Sequence, residues 1–384
     1  MVPSPNSRLY RPMTSRHPHE PHRVATPLEL FFDLCFVVAV AQAAAHLHHD
    51  VTEGHVGHGL LSYLTVFFAI WWAWMNFTWF ASAYDTDDVP YRLTTLIQIA
   101  GALTLAAGVP SAFDTGDFLL ITIGYVVMRM AMVGQWLRAA RQDPPRRTTA
   151  LRFAVGITLV QVGWVARLAL PDDLLLPSFF VLVLCELLVP LWAERAAPTQ
   201  WHPHHIAERF GLFTLIVLGE SVLAATLAIE SGLGTGHDPR LVGLALAGLV
   251  IVFAMWWLYF DRPAHDLITS TRAGFRWGYG HYLILAAAAA VGAGLAVSVD
   301  YDTHASHLSG PAAGYATAVP VAVYLLSVWM LHLRPRQRGP VVAATPVAAV
   351  LVLLAPLTGA PVHVIAAILA VLVAVVVATG PRTE

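Results

Sequence analysis

The sequence predicts an all-α fold, a polytopic transmembrane helical bundle of about twelve helices. Three observations predict it. Of 384 residues, 57% are hydrophobic and only 12% are charged, with a mean hydropathy of +0.64, a balance unlike that of a soluble domain. Apolar runs close to the ~20 residues needed to cross hydrocarbon recur along the chain with short polar breaks. The arginines fall in alternate breaks, the pattern left by membrane insertion.

Taken in order, residues 1–27 are rich in Pro, His and Arg, lack apolar periodicity and are expected to be a disordered cytoplasmic tail. The predicted spans are Leu28 to Leu47, Leu60 to Ala81, Leu93 to Phe113, Phe118 to Leu137, Leu151 to Leu170 and Leu174 to Trp192. A second set follows at Ile206 to Ile229, Leu241 to Phe260, Tyr279 to Val299, Tyr315 to Leu333, Val341 to Leu357 and Val362 to Ala378. Only Thr358 to Pro361 separates the last two, which suits a tight hairpin or a re-entrant pair. This divides the chain into a six-helix half at 28–195, a cytoplasmic linker at 196–205 and a second six-helix half at 206–380. Ala41 to Ala45 resembles a signal-peptidase site, but Glu29 and Asp33 interrupt the apolar stretch before it, which argues against cleavage.

Orientation follows from the arginines, because cytoplasmic loops retain positive charge. Arg8, Arg11, Arg16 and Arg23 precede the first span; Arg138, Arg141, Arg146, Arg147 and Arg152 surround the fourth break; Arg334, Arg336 and Arg338 fill the tenth. The odd breaks carry Asp114, Asp117, Asp300 and Asp302 with little arginine. Both termini are therefore expected on the cytoplasmic side of an inner or plasma membrane. The net charge of -2 offers no basic field for nucleic acid. Cys35 and Cys185 lie in apolar segments without metal-ligand or disulfide spacing and read as small core residues.

An internal repeat is also suggested. The stretch from Leu28, LELFFDLCFVVAVAQA, aligns loosely with AERFGLFTLIVLGESV from Ala207, and FFAIWWAWMNF from Phe67 aligns with VFAMWWLYFD from Val252. An offset of roughly 180 residues, about six helices, would make the halves parallel repeats, with a site between them. Four blocks in order, PLELFFDLCFVVAVAQ, YDTDDVPYRL, ERFGLFTLIVLGES and WWLYFD, resemble the bacterial low-temperature-requirement A (LtrA) family. The resemblance is motif-rich from Pro27 to Asp261 and implies a multi-pass membrane protein. It supplies no substrate, reaction or catalytic residue.

Function must then be sought among ionisable groups inside the spans, which are costly unless paired or hydrated. Arg129, Glu186 and Glu220 fall near the midplanes of their helices. One arginine against two carboxylates leaves a group that needs a proton or a cation. Glu29 and Asp33, at i and i+4, share a face near the cytoplasmic end of the first helix, where Glu29 also suits a helix cap. Gly219 immediately precedes Glu220 and Ser221, and a glycine beside a midplane carboxylate could make room for substrate or water. These residues support a proton-coupled secondary transporter of a small solute or ion, with Asp33, Glu29, Arg129, Glu186, Glu220 and Ser221 as the candidate substrate and proton site. No cofactor or resident metal is expected on that reading, and the partners are the lipid bilayer and the solute or proton.

The loop DTDD offers an alternative. Asp85, Asp87 and Asp88 have the D-x-D-D form of class II terpene cyclases, with Asp87 as proton donor and Mg2+ held against a diphosphate. Asn76, Asp261, His281 and the tryptophans Trp71, Trp72, Trp74 and Trp79 would share that face. The plainer expectation is a solvated acidic loop beside an interfacial aromatic belt. A non-catalytic stress or cold-adaptation component is a third reading. The histidines and acids between His46 and His58 have metal-binding chemistry but no defined spacing.

Overall fold

A computed structural model describes residues 9–17, 20, 24–233, 239–336 and 339–379. The described residues form twelve α-helices and no strand. They are α1 (Pro27–Thr52), α2 (Val56–Tyr84), α3 (Val89–Asp114), α4 (Leu119–Gln142), α5 (Arg147–Arg167) and α6 (Asp172–Ala193). After these come α7 (Pro203–Leu233), α8 (Pro239–Phe260), α9 (Thr271–Asp302), α10 (Gly310–Val328), α11 (Ala344–Leu354) and α12 (Pro361–Thr379). Eleven of them are long and apolar enough to cross a membrane. The exception is the eleventh predicted span. Its α-helical part has 11 residues, about 16 Å, and 3-10 turns at Gly339–Ala343 and Ala355–Leu357 bound it.

The chain packs as two compact units. Unit one comprises the described residues of 1–39 with Ala69–Arg209; unit two comprises Val40–Phe68 with the described residues of 210–384. The boundaries fall inside α1, α2 and α7, so each of these helices contributes one end to each unit.

In unit one, α3 and α4 approach through glycine. A Cβ on Gly124 would lie 2.5 Å from the Gly101 carbonyl, and one on Gly101 would lie 2.8 Å from the Gly124 carbonyl. Without a hydrophobic force between helices in lipid, such contact is what holds them. Unit two repeats the device: Gly292 lies against Ser221 and Gly294 against the Ala316 backbone.

The segment before α1, expected to be disordered, is docked across its described residues. Met13 has no exposed surface, and Arg16 donates its backbone N–H to the Ala83 carbonyl at 2.9 Å. The Met13 N–H reaches Gln142 Oε1 at 2.5 Å, and the Arg11 N–H reaches Asp88 Oδ2 at 2.8 Å. Composition pointed to disorder because a strap that buries few side chains carries no periodicity. Its hydrogen bonds go to helix ends that need partners.

Candidate functional site

Unit one holds two buried charged clusters on either side of α2. Its sequence WWAW places Trp72 and Trp74 two residues apart, roughly 200° around the helix, so their indoles leave on nearly opposite faces. Each indole N–H ends on a carboxylate: Trp72 Nε1 donates to Glu186 Oε2 at 2.9 Å and Trp74 Nε1 to Asp33 Oδ1 at 2.6 Å. These tryptophans are not an interfacial belt. Trp71, Trp72 and Trp74 are at most 2% exposed, because α2 is 29 residues long and carries them near its middle. Their counterparts in the sequence alignment, Trp256 and Trp257 on α8, are 43% and 44% exposed.

The first cluster centres on Glu186 of α6. Its Oε2 accepts from Arg129 Nη2 at 2.7 Å and from Trp72; its Oε1 accepts from the Tyr125 hydroxyl at 2.8 Å, Gln161 Nε2 at 3.1 Å and Trp164 Nε1 at 3.3 Å. The spacings explain the convergence. Tyr125 and Arg129 are i, i+4 on α4, and Gln161 and Trp164 are i, i+3 on α5, so each helix aims two donors from one face. Five donors saturate the carboxylate, and one arginine matches its charge. Glu186 is fully buried and Arg129 is 2% exposed, so the pair is a one-to-one charge match inside the unit.

The second cluster has a different charge count. Arg209 of α7 grips Asp33 of α1 as a fork, with Nη2 to Oδ1 at 2.6 Å and Nε to Oδ2 at 3.1 Å. Its Nη1 lies 3.1 Å from Glu29 Oε1, and His205 Nε2 lies 3.1 Å from the same oxygen. All four side chains are fully buried. Phe77 stacks on Phe32 at 4.0 Å and presents its ring 5.9 Å from the Arg209 guanidinium carbon. Glu29 also caps α1: the Thr26 N–H donates to its Oε2 at 2.7 Å while the Glu29 N–H reaches Thr26 Oγ1 at 3.3 Å, a reciprocal capping box. Capping and ion pairing thus use different oxygens of one carboxylate. Two carboxylates face one permanent cation, and the balancing group is an imidazole.

The other sequence candidates fall elsewhere. Glu220 belongs to unit two, is half-buried, and has no hydrogen-bond or ion-pair partner among the described residues. The Ser221 hydroxyl is committed to the Ala288 carbonyl at 2.8 Å, and its Cβ packs on Gly292, which makes it a helix-packing residue. Of the two midplane carboxylates, Arg129 pairs with Glu186, and a second arginine, Arg209, is shared by Glu29 and Asp33. Sequence reasoning missed Arg209 and His205. A signal existed: Arg209 stands at i+3 from Ile206 and i-4 from Phe213, both fully buried, so a charge occupies the apolar face of α7.

The DTDD loop is occupied by structural work. Asp88 is the N-cap of α3, accepting from the Tyr91 N–H at 3.1 Å, and it pairs with Arg138 through Nη1 at 2.9 Å and Nη2 at 2.5 Å. Burial pushes its carboxyl up, but the hydrogen bonds from Arg138 and the backbone of Arg11 and Tyr91 outweigh this and hold it below 3.8. Asp87, at φ +48°, forks onto Arg92 at 2.7 and 2.9 Å, and Asp85 accepts from the Asp87 N–H at 2.9 Å. Asp261 pairs with Arg262 and His281 with Tyr259, both in unit two. Among the described residues no three His, Cys, Asp or Glu side chains gather in a metal-binding group. An apolar cleft of about 310 Å3, lined by Leu47, Tyr63, Ala286 and Tyr315, belongs to unit two, and no DTDD carboxylate lines it.

No solved structure matches this chain. An uncharacterized protein of Rhizobium meliloti strain 1021 is 29% identical over 274 residues, which cover 67% of this chain and 65% of that relative. The model of the bacterial low temperature requirement A protein (LtrA) family matches residues 24–379, and the chain belongs to that family.

Proposed function

We propose that this protein is a proton-coupled secondary transporter of a small solute or ion, and that the Glu29, Asp33, Arg209 and His205 cluster is its proton site. One observation carries the reading: two fully buried carboxylates share one arginine and one histidine. With His205 neutral the cluster holds a net charge of -1; one added proton neutralises it. A buried net charge is expensive, and histidine is the side chain whose protonation changes near physiological pH. Ionisable groups buried in membrane spans serve proton relays and substrate paths by default. Glu220, the half-buried carboxylate of α7 without a partner among the described residues, is a second candidate for carrying a proton or cation. The Glu186 and Arg129 pair, one carboxylate matched by one arginine, is the scaffold. Within unit one, the end bearing the strap and Arg138, Arg146 and Arg147 is taken as cytoplasmic.

The test is proton flux into sealed vesicles reconstituted with the full chain, across a panel of solutes and cations. Solute-dependent proton movement lost in His205→Gln and Asp33→Asn but kept in Asp87→Asn supports the reading. Flux that survives both cluster substitutions refutes the assignment of the site, and its absence with every solute counts against the transporter.

A further inference from the structure

Unit two contains a convergence that the proton site does not use. Tyr259 near the end of α8, His281 in α9 and His332 meet in an interior where they are 4%, 0% and 2% exposed. His332 lies on a π-helical turn, Trp329–Leu333, that follows α10. Such turns re-phase the side chains that come after them and concentrate at functional sites.

The hydrogen bonding fixes which atoms face inward. His281 Nδ1 lies 2.7 Å from the Trp277 carbonyl, which can only accept, so Nδ1 carries the proton and Nε2 presents a lone pair. Into that single lone pair point two groups: the Tyr259 hydroxyl at 3.0 Å and His332 Nε2 at 3.4 Å. One lone pair cannot serve both well. His332 Nδ1 has no partner among the described residues, so hydrogen bonding alone leaves this buried imidazole with one long contact. A cation among the three atoms removes the conflict, because each then offers it a lone pair.

We propose that His281 Nε2, His332 Nε2 and Tyr259 Oη form a binding site for a divalent transition metal ion of the Zn2+ or Cu2+ class. Metal–nitrogen bonds of ~2.0–2.1 Å at a tetrahedral angle place two ligand nitrogens about 3.4 Å apart. The two Nε2 atoms stand 3.4 Å apart already. The Trp277 carbonyl supplies the outer hydrogen bond that metal-binding imidazoles ordinarily make through their second nitrogen. Two imidazoles and a phenolic oxygen select borderline metals over Mg2+ or Ca2+. Arg336, whose charge is felt at His332, donates to the carbonyls of Arg262 and Pro263. Three protein ligands leave a fourth position for water or a small ligand, and binding releases the phenolic proton of Tyr259 to solvent.

The experiment uses the full chain, purified in detergent through a tag without histidine and titrated with Co2+ as a spectroscopic stand-in for Zn2+. Wild type should retain one Co2+ per chain after dialysis, with the intense visible absorption of a tetrahedral site. His281→Gln and His332→Gln should lose that band and the bound metal, while His48→Gln, which removes an imidazole elsewhere, should keep both. Gel-filtration profile and helical circular dichroism check folding. If both histidine variants fail to fold, Tyr259→Phe decides: a displaced cobalt band with roughly tenfold or greater weakening supports the site, and an unchanged band overturns it. A wild type that retains no Co2+, or only as much as the His281→Gln, His332→Gln double variant, also overturns it.

Discussion

The clusters on the two sides of α2 use the same parts to opposite ends. Around Glu186 there are one carboxylate, one arginine and four neutral donors, so the charge closes and the carboxylate is saturated, although Arg129 Nε and Nη1 have no hydrogen-bond partner among the described residues. Around Arg209 there are two carboxylates, one arginine and one histidine, so the charges cancel only when the histidine or a carboxylate carries a further proton. Burial is the same in both, which means exposure alone does not separate a structural ion pair from a candidate proton site. The charge count does.

Breaking the saturated side should cost stability. Glu186→Gln strands Arg129 in the interior and should lower unfolding free energy by ~3–5 kcal/mol, read as a fall in the thermal midpoint in detergent. Replacing both partners, Arg129→Met with Glu186→Met, should recover much of that loss, because a buried pair swapped for packed apolar side chains is often neutral.

The two tryptophans sharpen the comparison, since each removes one indole donor from a different carboxylate. Trp72→Phe and Trp74→Phe should each cost ~1.5–3 kcal/mol, as for other hydrogen bonds to charged groups. Only Trp74→Phe should change proton uptake, because only Asp33 belongs to the unbalanced cluster.

Smaller effects lie at the DTDD loop. Asn at position 88 keeps a capping oxygen but loses the charge, so Asp88→Asn should cost about 1 kcal/mol and expose the bond after Arg16 to trypsin near neutral pH. The sign of its pH dependence is fixed. A carboxyl held below 3.8 stabilises the fold above that value, and its contribution disappears as pH falls through the lowered folded value. Wild-type resistance of the strap to pepsin, a protease active in acid, should therefore be lost only as pH falls through that lowered value. Asp87→Asn should be the mildest change, within ~0.5 kcal/mol in the same denaturation assay, because the Arg92 pair is 42% and 55% exposed and asparagine tolerates a positive φ.

The spans were legible in the sequence because hydrocarbon thickness imposes a length that hydropathy reports directly. Glu29, Asp33, Arg129 and Glu186 were legible as buried charges for the same reason. Their pairing was not, because Asp33 and Arg209 are 176 residues apart and no local spacing encodes that contact. Arg209 was overlooked beside Glu208 and the histidines at the start of α7, where a charge ordinarily meets water. The belt expectation for the aromatic run followed its composition, whereas Trp71, Trp72 and Trp74 lie near the middle of α2 and two of them donate to buried carboxylates. Val341 to Leu357 has the composition of a span, but the 3-10 turns that bound α11 leave no hydropathy signature.

The most direct test is an infrared titration of the purified chain, following carboxyl and imidazole bands from acid to alkaline pH in wild type, His205→Gln, Asp33→Asn and Glu186→Gln. The account predicts one protonation change from the Glu29, Asp33, Arg209 and His205 cluster, altered in His205→Gln and Asp33→Asn and preserved in Glu186→Gln. A titrating carboxyl band that vanishes with Glu186→Gln, or a His205→Gln titration identical to wild type, would contradict it.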